Sequence, residues 1–147
     1  MSRRDKLIEA LFGTARIDPD KYSPLTSTNR LNSFGYALAG WIYMLRRQKN
    51  TRIQAVASIG IMAVALWLGV GAVRLALLIL SITIVWMAEF VNAAVEAAIN
   101  LSTTEFHPMA KVGKDVASAA VLLGVVASIL IGILVLGPPL IHKLGIG

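Results

Sequence analysis

Three long apolar runs follow Arg52, over about 54–73, 75–101 and 115–141, and each is near or above the ~20 residues a helix needs to cross a bilayer. In lipid, backbone donors and acceptors must be satisfied within the segment, so runs of this length are expected as helices. The expected fold class is therefore an all-α membrane protein with three transmembrane helices. Gly69 to Gly71, with Arg74, make a short connection between the first two. A hydrophobic content of 56%, above the roughly 45–50% apolar of soluble domains, agrees with placement in lipid.

Charge orients the spans. Ten of the 14 Lys and Arg residues precede residue 53, Lys111 and Lys114 lie between spans two and three, and Arg74 and Lys143 fall on the other side. The positive-inside rule then puts the N-terminus in the cytoplasm and the C-terminus outside, in a multi-pass inner (plasma) membrane protein. Arg3, Arg4, Asp5, Lys6 and Glu9 are followed by no long apolar core, so a cleaved signal peptide is not expected. The net charge of +6 arises mainly from this basic segment beside a span, which reads as topogenic and lipid-facing. Without an aromatic-basic platform or a groove-reading motif it does not point to nucleic acid.

Two amphipathic pieces precede the spans. Leu7, Ile8, Leu11 and Phe12 recur at helical spacing, as do Phe34, Leu38, Trp41, Ile42 and Leu45 ahead of Arg46, Arg47 and Lys49. The second piece, at about 33–48, is expected as a helix on the cytoplasmic surface, with Trp41 and Tyr43 suited to the headgroup layer. Residues 18–28 carry Pro19 and Pro24 among Ser and Thr and read as a linker. Residues 1–28 are accordingly an extension, and 29–147 the membrane domain.

Of eight acids, Asp5, Glu9, Asp18 and Asp20 lie in the extension, while Glu89, Glu96, Glu105 and Asp115 converge on the cytoplasmic side of spans two and three. Glu89, Asn92 and Glu96 are spaced three and four apart, which sets two carboxylates and an amide on one stripe of a helix. Acids within a span face a protein interior or a polar cavity, because exposure to lipid costs several kcal/mol. Small residues surround the stripe, Ala88, Ala93, Ala94, Ala97 and Ala98 on span two and Ala117, Ser118, Ala119 and Ala120 on span three, and they favour close helix approach. Lys114 and Asp115 open span three, where a helix N-terminus and a lysine both suit phosphate. Carboxylates hold magnesium, magnesium holds phosphate oxygens, and a further carboxylate can take a hydroxyl proton.

Other chemistries find little support. The chain has no cysteine and only two histidines, His107 and His142, which excludes thiolate sites and histidine-rich metal clusters. Gly113-Lys114 lacks the glycine spacing and the following Ser or Thr of a Walker-type loop, and His107 has no nucleophile motif beside it.

The segments Ala88-Glu89-Phe90-Val91-Asn92-Ala93-Ala94-Val95-Glu96-Ala97, Glu105-Phe106-His107-Pro108 and Ala110-Lys111-Val112-Gly113-Lys114-Asp115-Val116-Ala117 occur in that order. They resemble the signature of the prokaryotic diacylglycerol kinase and undecaprenol kinase family. The resemblance extends from about Ser33 through span three. It implies a homotrimer with a surface helix that transfers the γ-phosphate of MgATP to a lipid hydroxyl at the membrane surface, with the active site at the cytoplasmic face. By this resemblance Glu89 matches the general base, Asn92 a second active-site residue and Glu96 a metal ligand. Glu105, Phe106, His107, Lys114 and Asp115 match the nucleotide-contacting loop and helix start, and Tyr36 an aromatic on the ATP side.

One position departs from the pattern. Where the family carries a metal-binding glutamate beside the surface helix, the ungapped match places Gln48, which keeps an oxygen ligand and loses the charge. No acid between Lys21 and Trp86 can replace it. A relative with weakened or lost activity therefore stays open as a reading. So does a non-enzymatic ion-binding oligomer, because intramembrane Glu and Asn also mark cation pathways. Against that rival, the acids lie toward one face, and spans one and three show no polar partners to carry a path across.

Overall fold

The computed structural model describes Arg4, Asp5 and residues 30–146. The expected linker at 18–28 and the amphipathic segment at 7–12 lie outside them. Four long helices, α1 (Arg30–Arg47), α2 (Lys49–Leu68), α3 (Ala72–Ser102) and α4 (Pro108–Leu144), account for nearly all the rest, with no strand among the described residues. The chain divides into two units, Met1–Trp41 and Ile42–Gly147.

In the first unit, the described part of α1 exposes Leu31, Phe34, Tyr36, Leu38 and Trp41. The helix closes with Arg46 and Arg47 in its last turn, where cations complement the macrodipole.

The second unit contains the helices that are long and apolar enough to cross a membrane, α2, α3 and α4. A single extended residue, Gln48 (φ −98°, ψ 117°), separates α1 from α2. α2 runs from Lys49 to Leu68, starting and ending about five residues ahead of the expected 54–73. The apolar run marks only the lipid-facing stretch, and the helix continues back through Lys49 and Arg52 because its N-terminal turn lies beyond that stretch. Its end is fixed by Gly69, in the left-handed region at φ 66°, whose N–H donates to Leu66 O at 3.1 Å while Val70 N–H donates to Ala65 O at 3.2 Å. Arg74 lies inside the first turn of α3, not in the connection, which comprises Gly69, Val70 and Gly71 alone.

A Cβ at Gly69 would force an L-residue into a conformation costing about 1–2 kcal/mol. Gly69→Val is expected to lower the thermal unfolding midpoint of the detergent-solubilised protein, and Gly71→Ala, at a φ of −66°, to leave it nearly unchanged; equal midpoints for wild type and Gly69→Val would contradict this account of the turn.

α4 begins with Pro108 at its first position, where the missing N–H costs nothing, and His107 Nδ1 caps it by accepting from Met109 N–H at 3.2 Å. At ~1.5 Å per residue α3 and α4 exceed a hydrocarbon core ~30 Å thick, so their ends stand in the headgroup layer or beyond it. They pack along their lengths, and α2 lies more lightly against the pair. Ala65, Leu78 and Val135 join the three helices in an apolar cluster with Ile61, Val70, Leu75, Ile131 and Leu136. Most other large apolar side chains, Leu80, Leu123 and Leu134 among them, face outward, as suits helices with lipid or other helices around them.

Candidate functional site

The acid stripe forms as its spacing requires. Asn92 Nδ2 donates to Glu96 Oε1 at 3.2 Å, one turn along α3, and Glu96 is within Coulombic reach of Glu89. Glu89 is buried, only 5% exposed, and its Oε1 accepts from Gln54 Nε2 on α2 at 3.2 Å. Asn50, one turn earlier on α2, interacts with the same carboxyl. Next along the interface, Trp86 Nε1 donates to Ser58 Oγ at 3.2 Å, and Ser58 Oγ donates to Gln54 O at 2.7 Å.

A polar α2 face, Asn50, Gln54 and Ser58, thus meets Glu89 and Trp86 of α3. Span one offers polar partners to Glu89 and Trp86, which the sequence reading did not single out. Their four-residue spacing is a helical stripe that a count of charges passes over. Farther along the bundle, the cluster of Ala65, Leu78 and Val135 is apolar.

Glu89 opens onto a groove of about 520 Å³ between α2, α3 and α4. Ile53, Ile61, Val85, Val121 and Ile129 give it apolar walls, and Gln54, Ser58 and Ser118 give it polar points near the carboxylate. One end of the groove therefore suits hydrocarbon and the other a hydroxyl.

A second and more polar basin, of about 680 Å³, lies at the α3–α4 loop. It gathers Glu105, Phe106, His107, Lys114 and Asp115, all of the loop and helix-start residues singled out from the sequence, and adds Asn100, Thr103 and Lys111. Lys114 Nζ donates to Asn100 Oδ1 at 2.7 Å, which aims the ammonium across the basin, while Lys111 pairs with Asp115. Thr103 Oγ1 accepts from Glu105 N–H at 3.1 Å and tightens the loop. Close approach of the two helices here comes from Gly113, where an added Cβ would lie 2.9 Å from Ile99 Cδ1, and further along at Gly124, 3.8 Å from Val85 Cα.

Gln48 caps the start of α2 with no side-chain capping bond, six residues before Gln54. Tyr36 is exposed on α1 within the first unit. No cluster of three or more His, Cys, Asp or Glu side chains forms a ready metal cage among the described residues. Oxygen donors are nonetheless concentrated around the stripe: the Glu89 and Glu96 carboxylates, and the buried Asn92 Oδ1 and Gln54 Oε1, neither of which has a hydrogen-bond donor. Hard oxygen donors with lone pairs to spare fit a hard cation that keeps several of its waters, such as magnesium, better than a softer metal.

The fold and these two cavities define a multi-pass helical membrane protein with a buried carboxylate facing a lipid-sized groove and a polar basin with both lysines and carboxylates at the adjoining loop. A model of the prokaryotic diacylglycerol kinase family matches residues 35–136. The chain is 36% identical to a diacylglycerol kinase of a Synechocystis species over 77% of its own length, a match that spans 65% of that relative. It is 30% identical to the diacylglycerol kinase of Escherichia coli K12 over 70% of this chain and 84% of that protein. It is also 30% identical to the undecaprenol kinase of Bacillus subtilis 168 over 76% of this chain and 94% of that protein. The chain belongs to the prokaryotic diacylglycerol kinase family, a family of lipid kinases.

Proposed function

We propose that the protein transfers the γ-phosphoryl group of ATP to the hydroxyl of a membrane lipid, diacylglycerol or undecaprenol, in a magnesium-dependent reaction at the cytoplasmic face of a homotrimer. The observation that carries this reading is the groove that runs from apolar walls to the buried carboxylate of Glu89. An amphiphile lying in it presents its hydroxyl to the one acid on that wall, and its chains to Val121, Ile129 and the lipid beyond.

In the reaction, Glu89 accepts the hydroxyl proton while the lipid oxygen forms its bond to the γ-phosphorus and the bond to the β-bridging oxygen breaks, releasing ADP. Gln54 holds the carboxyl in place through the bond to Oε1. Glu96, Asn92 through its unpartnered Oδ1, and Gln48 are the residues that would hold magnesium, which supplies charge neutralisation on the phosphate oxygens. Lys114 and Asp115, with Glu105, Phe106 and His107, position the nucleotide. Most of the rate enhancement then comes from positioning and fixed charge.

The deciding assay measures phosphate transfer from labelled ATP to diacylglycerol and, separately, to undecaprenol, with full-length protein in lipid and magnesium titrated. Transfer to either lipid is expected. Gln48→Glu, which restores a charged ligand, is expected to lower the magnesium concentration at half-maximal rate by about tenfold. Transfer to neither lipid, in wild type and Gln48→Glu alike, together with cation flux across liposomes without ATP consumption, would replace the kinase by the ion-binding reading.

A further inference from the structure

At the end of the bundle away from Glu89, Leu68, Arg74, Pro138, Pro139, His142 and Lys143 line a third cavity, of about 420 Å³. From this cavity and its charges we infer that the protein holds the phosphate headgroup of an anionic phospholipid there, between the α2–α3 turn and the end of α4, with Arg74, His142 and Lys143 as its ligands.

Three features converge on this site. The first is a local excess of basic side chains: there is no Asp or Glu from residue 53 to 88 or from 116 to 147. Glu89 is the nearest carboxylate to Arg74 along α3, and fifteen residues of helix separate them by ~22 Å.

The second is the placing of Arg74. Lys143 has a local purpose, because its Nζ donates to Trp67 O at 2.6 Å, near the C-terminal end of α2, where a cation is favoured. Arg74 has none of that kind. It is the third residue of α3, at the positive end of the helix macrodipole, where a cation is disfavoured. Gly71 provides no side-chain cap, so N–H groups of that first turn are left to other acceptors. A phosphate seated here accepts from the guanidinium and from those N–H groups together, which turns an unfavourable position for arginine into a favourable one.

The third is depth. Lys143 Nζ lies 4.7 Å from the centroid of the Trp67 ring, and tryptophan at a helix end settles at the headgroup layer, the level at which lipid phosphates lie. Lys143 keeps two N–H donors beyond the one given to Trp67, and the His142 imidazole adds polar contact at the rim. Pro138 and Pro139 give the cavity a rigid wall without N–H groups of their own.

The test is retention of lipid by the full-length protein, extracted from bilayers of equal parts phosphatidylcholine and phosphatidylglycerol and read by native mass spectrometry. Wild type is expected to retain phosphatidylglycerol in preference to phosphatidylcholine. Arg74→Gln and Lys143→Gln are each expected to weaken that retention about fivefold, the share of one charge at a lipid surface, whereas Arg74→Lys keeps most of it. Adding inorganic phosphate to the extracted protein should not release the lipid. Far-UV circular dichroism reports folding, and if Arg74→Gln proves unfolded the Lys143→Gln comparison decides. Equal retention by wild type and the charge-removing variants would overturn the proposal, and release of the lipid by inorganic phosphate would reassign the cavity to a free anion.

Discussion

Replacing Glu89 by Gln is expected to lower lipid phosphorylation by about 10²–10⁴-fold, the range a positioned general base contributes. The substitution is nearly isosteric, and an amide oxygen at the same place still accepts from Gln54 Nε2, so the α2–α3 contact is kept. What is lost is an oxygen basic enough to take the hydroxyl proton. Because the loop basin with Lys114 and Asp115 is built from different residues, the KM for ATP should change little while kcat collapses. A variant that keeps its oligomer size and its rate would remove Glu89 from the reaction. Gln54→Leu provides the contrast, since it frees the carboxyl without removing it, and a smaller loss in kcat is expected there.

The second large effect is expected from Glu96→Gln. This carboxylate lies one turn beyond Asn92, close to an amide oxygen that has no donor of its own. Removing its charge should raise the magnesium concentration for half-maximal rate at least as much as the 10–100-fold that changes outside a metal's immediate ligands produce. Excess magnesium should recover part of the rate, which distinguishes this variant from Glu89→Gln, where none returns. If Gln48 shares the metal, Gln48→Glu placed in the Glu96→Gln background should shift the magnesium requirement back toward wild type. A magnesium curve unmoved by Glu96→Gln would show that the stripe binds no metal.

How these residues could be seen from sequence differs with the kind of signal each one leaves. The helices that cross the membrane were visible because apolar length is a property of a single segment, and the Glu89, Asn92 and Glu96 stripe was visible because its spacing lies within one helix. Gln54, Asn50 and Ser58 were not, although they sit beside Glu89. Asn50 and Gln54 lie at or before the edge of the apolar run, where polar residues are expected anyway, Ser58 is only weakly polar, and nothing in one sequence sets the register of α2 against α3. Asn100 escaped for the same reason, being tied to Lys114 fourteen residues away through helix packing alone. Close approach was expected from the alanines of spans two and three; the structure adds Gly113 and Gly124, whose effect depends on which neighbour they face. The start of α2 was misplaced because hydropathy marks where lipid begins, while hydrogen bonding decides where a helix begins. At the loop, by contrast, Glu105, Phe106, His107, Lys114 and Asp115 are close in the chain, and a tight turn capped by His107 is enough to bring them to one basin.

The turn made by Gly69, Val70 and Gly71 bears on how the protein can be handled at the bench. Two of its three N–H groups, those of Gly69 and Val70, are committed to closing α2, so the loop offers little that an antibody or a protease could grip. A reporter inserted there would have to break both closing bonds before it could be displayed. Mapping of which side each helix end faces is therefore better done with tags placed after the end of α4 and in the α3–α4 loop, where added residues need not undo the joint between two spans.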